Sequence, residues 1–535
     1  MESGRDDSEQ GVRLDCGVRV KPVYVAGDVQ AADHPVGMPG AFPFTRGLSP
    51  GRPKDDPWVI RVYAGFGTPE DSNQRFRRLV EWGAEEIQMA VDLPTQVGYD
   101  SDHIMSTGEV GRVGVAVDSL HDMEVLFEGI PLDRLRCVGM LGNSFGPTAL
   151  ALFIALGEKQ GLDPSSYTVD LQNDVLKEYV ARGTQIYPIQ PSIRVATDVV
   201  SYCAKHMPHW HPMSVCVNHL NAAGAGTVRG TAYAFANARA YIEHLLAQGE
   251  DIDAIGPLFS MFLDERDDFF TTVGVFRASR RLWAKTMKEY GATRGEAMAL
   301  RTVAYGHGRE TLQEPINNIV RIAMGSFAYA LGGVSALYNA SFDEALSTPT
   351  EEAVKVAIRT QQILREEFGI GNVQDPLGGS HFVETLTNEI EDGIAKELQQ
   401  VLEAGGAVAA IESGYIRGRL TEGAVRRQRW FEEGRRVSVG LNRYAGAAAA
   451  EAGRVSPFLI DPDVERRQVQ SLQEVRRNRD NAAVEGALRQ VQAAAAEDVN
   501  LVQPVLEAVQ AYATIGEITD RLRAVFGEYR FREAF

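Results

Sequence analysis

The sequence has little cysteine. Cys16, Cys137, Cys203 and Cys216 are scattered through 535 residues with no C-x-x-C pair. A disulfide framework or cysteine-ligated zinc site is therefore not expected, and reduced thiols of a cytoplasmic protein fit best. Positive charge is also in deficit: 54 Lys and Arg against 72 Asp and Glu leave a formal charge of −18. Nucleic acid and anionic membrane surfaces carry the same sign, so neither is expected as a partner, although local basic pockets remain open. No apolar run approaches membrane-spanning length. The start, Met1-Glu-Ser-Gly-Arg-Asp-Asp, lacks the character of a secretory or transit signal. No convincing acid/base pair or metal site stands out. His206, His209 and His211 have the wrong spacing for ligands on one helix face, and Pro208 and Pro212 break the segment, which reads as a loop.

What is present is the composition of a folded protein, 44% apolar and 8% aromatic. Residues 1–62 are rich in Gly and Pro and read as an extended N-terminal arm. Around its end, Trp58–Asn73 combines Arg61-x-Tyr63-Ala-Gly-Phe-Gly with a helix start, in which Thr68 caps and Pro69 opens the first turn. The Gly turn reads either as a cation and phenol set at a site or as an ordinary loop packing Trp58 and Phe66.

Beyond it, short apolar runs alternate with helical patterns. The runs are 87–93, 137–141, 167–171, 213–217, 257–262, 297–302 and 334–338, with a weaker eighth at 370–373. Helices are predicted over 119–127, 147–160, 196–206, 227–247, 268–290, 315–331 and 351–368. Eight strands with seven intervening helices predict an α/β fold, a (β/α)8 TIM barrel over residues 63–445 with its flanking helices. A doubly wound open sheet is the competitor, but no Gly-rich dinucleotide fingerprint follows the first strand. Ala445–Ala452 reads as a linker. Residues 446–535 are predicted to form a helical module, with one long charged helix over 464–496 and two shorter ones split at Gly516.

Barrel sites lie at strand C-terminal ends. Here those are Asn143, Gln172, His219, Phe262, Thr302, Asn339 and Gln374. Arg182, beyond Gln172, can clamp a carboxylate or pair with a surface acid. His219 can donate to a substrate carbonyl or satisfy a backbone one.

Several longer stretches then line up in one order. Tyr63-Ala-Gly-Phe-Gly-Thr-x-x-x-Ser-Asn73, Asp92-Leu-Pro-Thr-x-x-Gly-Tyr-Asp-Ser-Asp102, Gln172-Asn-Asp-x-Leu-Lys-Glu178, Tyr187-Pro-x-Gln-Pro-Ser192, His219-x-x-x-Ala-Gly224 and Leu282-Trp-Ala-Lys285 resemble the substrate-binding chain of the methylmalonyl-CoA mutase family. Tyr512-Ala-Thr-x-Gly-Glu517 and Val525-Phe-Gly527 resemble the separate large subunits of isobutyryl-CoA and 2-hydroxyisobutyryl-CoA mutases. The resemblance implies an adenosylcobalamin-dependent radical rearrangement of an acyl thioester's carbon skeleton in a barrel, with the cofactor carrying the chemistry.

Residue by residue, Tyr63 matches the tyrosine lying against substrate and cofactor, and Ala90 is also of the methylmalonyl type. Arg182 matches the arginine that holds the substrate's free carboxylate. His219 matches the donor to the thioester carbonyl, with Gln172 beside it. Glu344 matches a ribose-binding carboxylate, and Gly65 falls with it on the cofactor side. Ser260, Thr302 and Tyr305 fall on the substrate side. The cobalamin-ligand signature Asp-x-His-x-x-Gly is absent, since Asp33-His34 is not it. A separate small cobalamin-binding subunit is thus implied, docking at the C-terminal module, in a hetero-oligomer or a homodimer of large subunits.

The departures lie at the CoA handle. Ser49–Asp56 lacks the family's Tyr-x-Thr-Met-Tyr-x-x-Arg. Leu258 and Glu296 replace cations, Thr302-Val-Ala-Tyr305 replaces Thr-His-x-Gln, and Ser335-Ala336 replaces Gln-Ser. These changes predict either an acyl carrier other than free CoA, such as a carrier protein, or CoA held by Arg46, Arg52 or Lys54. A catalytically inactive scaffold for a cobalamin-binding subunit is the alternative to an active mutase.

Overall fold

The computed structural model describes residues 12–14, 16–21, 23–29, 36–50, 57–264, 268–306, 310–445 and 458–530. Residues 446–452 of the linker expected at 445–452, the Asp33-His34 pair, and Arg52, Lys54 and Asp56 of the arm lie outside these residues.

Eight parallel strands form the barrel: β1 (Val59–Ala64), β2 (Glu86–Met89), β3 (Cys137–Leu141), β4 (Val169–Gln172), β5 (Met213–Cys216), β6 (Phe259–Leu263), β7 (Arg301–Gly306) and β8 (Ala336–Asn339). Each is followed by a helix of the outer layer: α1 (Pro69–Glu81), the short α2 (Leu120–Leu126), α3 (Gly146–Lys159), α4 (Ile189–His206), α5 (Thr227–Ala247), α6 (Phe269–Glu289), α7 (Asn317–Gly332) and α8 (Glu351–Gln362). The strand order is β4-β3-β2-β1-β8-β7-β6-β5. His211 bridges the remaining seam beside Asp170, donating its N–H to Val169 and accepting from that of Leu171. The count of eight is as predicted, and the barrel replaces the open-sheet alternative.

One strand was expected in the wrong place. Residues 370–373 are not a strand: Ile370–Asn372 is a single tight turn, with Phe368 and Val373 exposed on either side. The first strand is instead β1, so a boundary at 62/63 falls inside it. Arg61 and Tyr63 interrupt its apolar run, yet their period of two is that of a strand with two different faces. Ile60 and Val62 pack outward into the layer between barrel and helices, while Val59 joins Cys216, Phe262, Val303, Ala336 and Tyr338 in a separate cluster inside the barrel. Thr68 caps α1, as predicted, and the structure adds a reciprocal box with Asp71.

The C-terminal helices are α9 (His381–Glu403), α10 (Gly406–Glu412), α11 (Tyr415–Glu432), α12 (Val464–Asn478), α13 (Asn481–Ala496), α14 (Val502–Gln510) and α15 (Ile515–Phe526). The single charged helix expected over 464–496 is two helices, because Asp480 accepts from the amides of Ala482 and Ala483 and starts a new one. Gly516 lies within the first turn of α15, and the break falls before Thr514, which caps that helix. The last four helices share the barrel's core rather than forming their own, with Val505, Leu506 and Val509 in the same cluster as Leu150 and Phe153 of α3. They also grip the long loop after β2. Asp100 accepts from Arg476 at 2.6 Å, Thr514 at 2.6 Å and the Gly516 amide at 2.7 Å, and Gln468 bridges Asp118 and Asp122.

Candidate active site

Alternation along each strand decides what enters the barrel. Arg61 and Tyr63 of β1 point inward together, side by side with Glu86 and Gln88 of β2. Asp170 and Gln172 do the same on β4, and Arg301, Val303 and Tyr305 on β7. A Cβ on Gly139 would run into Gln88 and the carbonyl of Asp170, so the glycine of β3 makes room for them.

The lower lumen is filled by charge. Arg61 pairs with Glu86 and with Asp170 at 2.8 Å, and Arg301 meets Asp170 at 2.6 Å and Glu86 at 3.7 Å. Gln88 donates to Glu86 and to the Asp170 carbonyl, both at 3.3 Å. Burial alone would raise the Asp170 carboxyl, but Arg61 and Arg301 outweigh it and hold it at about 2. Burial, reinforced by Arg301, holds His211 down at about 3, so the imidazole beside this network is neutral. Sequence reasoning missed the network; its signal was a single charged residue in or beside a short apolar run, at Arg61, Glu86, Asp170 and Arg301.

Above this floor lies a cavity of about 90 Å³. Its wall includes Tyr63, Gln172, Arg182, His219 and Tyr305, and its base includes Arg61, Gln88 and Asp170. Five of the predicted residues are thus brought together from β1, β4, β7 and the loops after β4 and β5. Gln172 accepts from Asn143 at 3.4 Å, a second polar group from a strand end. Arg182 Nη1 lies 3.3 Å from Thr184 Oγ1 and 3.5 Å from Glu178 Oε1. Glu178 is itself paired with buried Lys177 and accepts the Thr184 amide at 3.1 Å. Burial opposes its ionisation, but Lys177 and then Arg182 hold its carboxyl below the ordinary value. Only Nη1 of Arg182 is engaged among the described residues, which leaves donors of a planar guanidinium for an anion.

Tyr63 stands between this cavity and a second, of about 290 Å³, lined by Gly65, Ala90, Asn339, Ser341 and Glu344. The ring is 38% exposed into the cleft, yet protein surrounds it on most sides. Desolvation there pushes its phenol up to about 12 although nearby Arg182 pulls it down, so Tyr63 is neutral at ordinary pH. Tyr305 stacks on Tyr338 at 4.4 Å between the two cavities and donates to Glu344, which also accepts the Ser341 amide at 2.9 Å. Burial raises the Glu344 carboxyl to about 7. A Cβ on Gly65 would strike the carbonyl oxygen of Ala90, so only glycine lets these two backbones approach.

Two predicted substrate residues sit elsewhere. Ser260 is buried inside the barrel beside Ser214 and does not line either cavity. Thr302 is fully buried with the parity opposite to Tyr305, and so faces the helix layer. Gln374, off any strand end, donates to the carbonyl of Arg46 at 3.2 Å, and Arg46 is paired with Asp375 at 2.9 Å. His209 meets the carbonyl of Tyr167 at 3.0 Å, and the histidine cluster divides between the end of α4 and the barrel seam.

Known proteins share this arrangement of sequence. The large subunit of 2-hydroxyisobutanoyl-CoA mutase from Aquincola tertiaricarbonis is 38% identical over 523 residues, covering 96% of this chain and 92% of that protein. Methylmalonyl-CoA mutase from Cereibacter sphaeroides is 38% identical over 519 residues, covering 96% of this chain and 72% of that protein. The mitochondrial methylmalonyl-CoA mutase of Homo sapiens is 38% identical over 518 residues, covering 96% and 68%. Residues 14–528 match the methylmalonyl-CoA mutase family as a whole, and with that span and these relatives the chain belongs to it.

Proposed function

We propose that the chain is the substrate-binding subunit of an adenosylcobalamin-dependent carbon-skeleton mutase acting on a small, carboxylated, branched acyl group. The observation that carries this reading is the single cavity walled by Tyr63, Gln172, Arg182 and His219. Arg182 supplies a charge-assisted clamp for a second carboxylate, and His219 and Gln172 supply polar groups for the acyl carbonyl. Tyr63, neutral and flat, separates the acyl cavity from the larger one. An intact constellation of this kind speaks against an inactive scaffold.

The larger cavity suits the nucleoside end of the cofactor. Its walls at Gly65 and Ala90 are small, and Glu344 offers a carboxyl for a ribose diol. Adenosylcobalamin, when bound, supplies radical chemistry through a weak cobalt–carbon bond. This chain's residues bind and orient the acyl group, hold its charge and exclude water. A small partner subunit is the source of the corrin-binding groups, the family's Asp-x-His-x-x-Gly being absent from this sequence.

The floor bears on the acyl carrier. Arg61, Glu86, Asp170 and Arg301 pair with one another across the lumen beneath the cavity, where an extended arm threaded along the axis would have to displace them. That supports entry of the reacting group from the mouth, and favours a handle other than free CoA threaded along the axis over CoA itself. The test reconstitutes the chain with a small cobalamin-binding subunit and adenosylcobalamin. Methylmalonyl, ethylmalonyl and isobutyryl groups are then offered on CoA, on acyl-carrier protein and as free acids. Turnover of the dicarboxylic groups with preference for a handle other than CoA is expected. Preference for isobutyryl would overturn the clamp, and preference for CoA would overturn the closed-floor reading.

A further inference from the structure

The base of the acyl cavity holds an acceptor that nothing in the fold answers. Gln88 stands there, 6% exposed. Its Nε2 donates to the Glu86 carboxylate and to the Asp170 carbonyl, both at 3.3 Å. Both partners only accept, so the amide cannot be turned over, and its other end, Oε1, is fixed as an acceptor. Among the described residues no group donates to that oxygen. Gly139 lies against the amide and has no side chain to offer it. Elsewhere on the wall Asn218, 7% exposed, has an Oδ1 that likewise meets no donor. It opens the short helix that carries His219. Ser214 of β5 adds a hydroxyl to the same cavity.

An acyl group built only from a carboxylate, a thioester carbonyl and an alkyl branch accepts hydrogen bonds and donates none. Its branch, pressed against Gln88 and Asn218, would shut water out and leave both oxygens unpaired. The partner that fits is a donor. It is uncharged, because Arg61 and Arg301 are already balanced by Glu86 and Asp170 around the base, and a further charge would have no counterion.

We propose that Gln88, assisted by Asn218, is a specificity-determining residue, and that the acyl group carries an uncharged O–H or N–H donor, a hydroxyl or a carboxamide, besides the carboxylate held by Arg182. The proposal deepens the acyl-cavity reading and rests on it: Arg182 on the wall holds one end of the group and Gln88 at the base reads the other. A site that hydrogen-bonds a substituent rejects the analogue lacking it, because its own buried polar groups are then left without partners.

The test is calorimetric titration of the intact chain with four free acids. Methylmalonate and succinate have no donor, malate adds a hydroxyl, and succinamate carries a carboxamide. The same titrations are run on Gln88→Met, Asn218→Leu and Arg182→Gln. Asn218→Leu breaks no hydrogen bond of the fold, and so keeps the test sharp where Gln88→Met, which loses two, lowers the melting temperature. Malate or succinamate is expected to bind more tightly than methylmalonate and succinate by about tenfold or more. That preference should shrink in Gln88→Met and in Asn218→Leu, with succinate binding kept. Preference for malate alone assigns the donor to a hydroxyl, and for succinamate alone to an amide. Equal binding of all four acids, weakened throughout in Arg182→Gln, overturns the proposal and leaves the carboxylate clamp standing. A preference that survives both Gln88→Met and Asn218→Leu also overturns it. Absence of any binding that depends on Arg182 overturns the acyl-cavity reading and this proposal with it.

Discussion

The floor and the mouth of one barrel treat arginine in opposite ways. At the floor, Arg61 and Arg301 meet Asp170 at 2.8 and 2.6 Å and both also pair with Glu86, with Arg61 and both acids buried. At the mouth, Arg182 reaches its partners only at 3.3–3.5 Å, engages them through one nitrogen, and faces a cavity. A buried charge needs full compensation to be tolerated at all, and a compensated one has little left to offer a ligand. An under-committed charge in a cleft has the opposite profile, adding little to the fold and much to recognition. The floor thus reads as a structural plug and the mouth as the reactive end.

Substitution separates the two. Asp170→Asn at the floor leaves Arg61 and Arg301 without their shared acid and is expected to cost about 3–5 kcal/mol of stability, read by denaturant unfolding. The Asp170 carboxyl is depressed in the folded state. Its contribution is therefore complete above the unfolded value near 3.9 and is lost as pH falls through about 2. A loss of under 1 kcal/mol would mean that the plug is not compensated as described.

Arg182→Gln at the mouth should leave the melting temperature nearly unchanged. Turnover of carboxylated substrates should fall by an amount corresponding to about 1.5–3 kcal/mol, the worth of a charge-assisted contact. An equal fall for monocarboxylic groups would erase the distinction between mouth and floor.

The smallest effect is expected at Glu344, partly buried at the mouth. Its raised pKa means that the folded state favours the neutral acid, so stability is fully present below the unfolded value and is lost as pH rises through about 7. Glu344→Gln should therefore gain stability relative to the native chain between pH 5 and pH 8, by on the order of 1–2 kcal/mol once solvent screening is allowed for. A flat difference across that range would show the carboxyl to be ionised throughout.

The sequence by itself determined the barrel, because buried parallel strands and amphipathic helices write different periods and the count reached eight. It also carried the order of the motifs, and with them the candidates Tyr63, Gln172, Arg182, His219 and Glu344. It misplaced one strand, since the inward charge of Arg61 hides β1 from any search for apolar runs, while the apolar turn at 370–373 mimics one. Only the tertiary structure decided which face each strand residue takes, and so removed Thr302 from the cavity while keeping Tyr305. It alone revealed that Glu86, Asp170 and Arg301, distant in sequence, fill the lumen around Arg61. Pairing of charges across a closed sheet depends on strand register and closure, and neither is a local property of the chain.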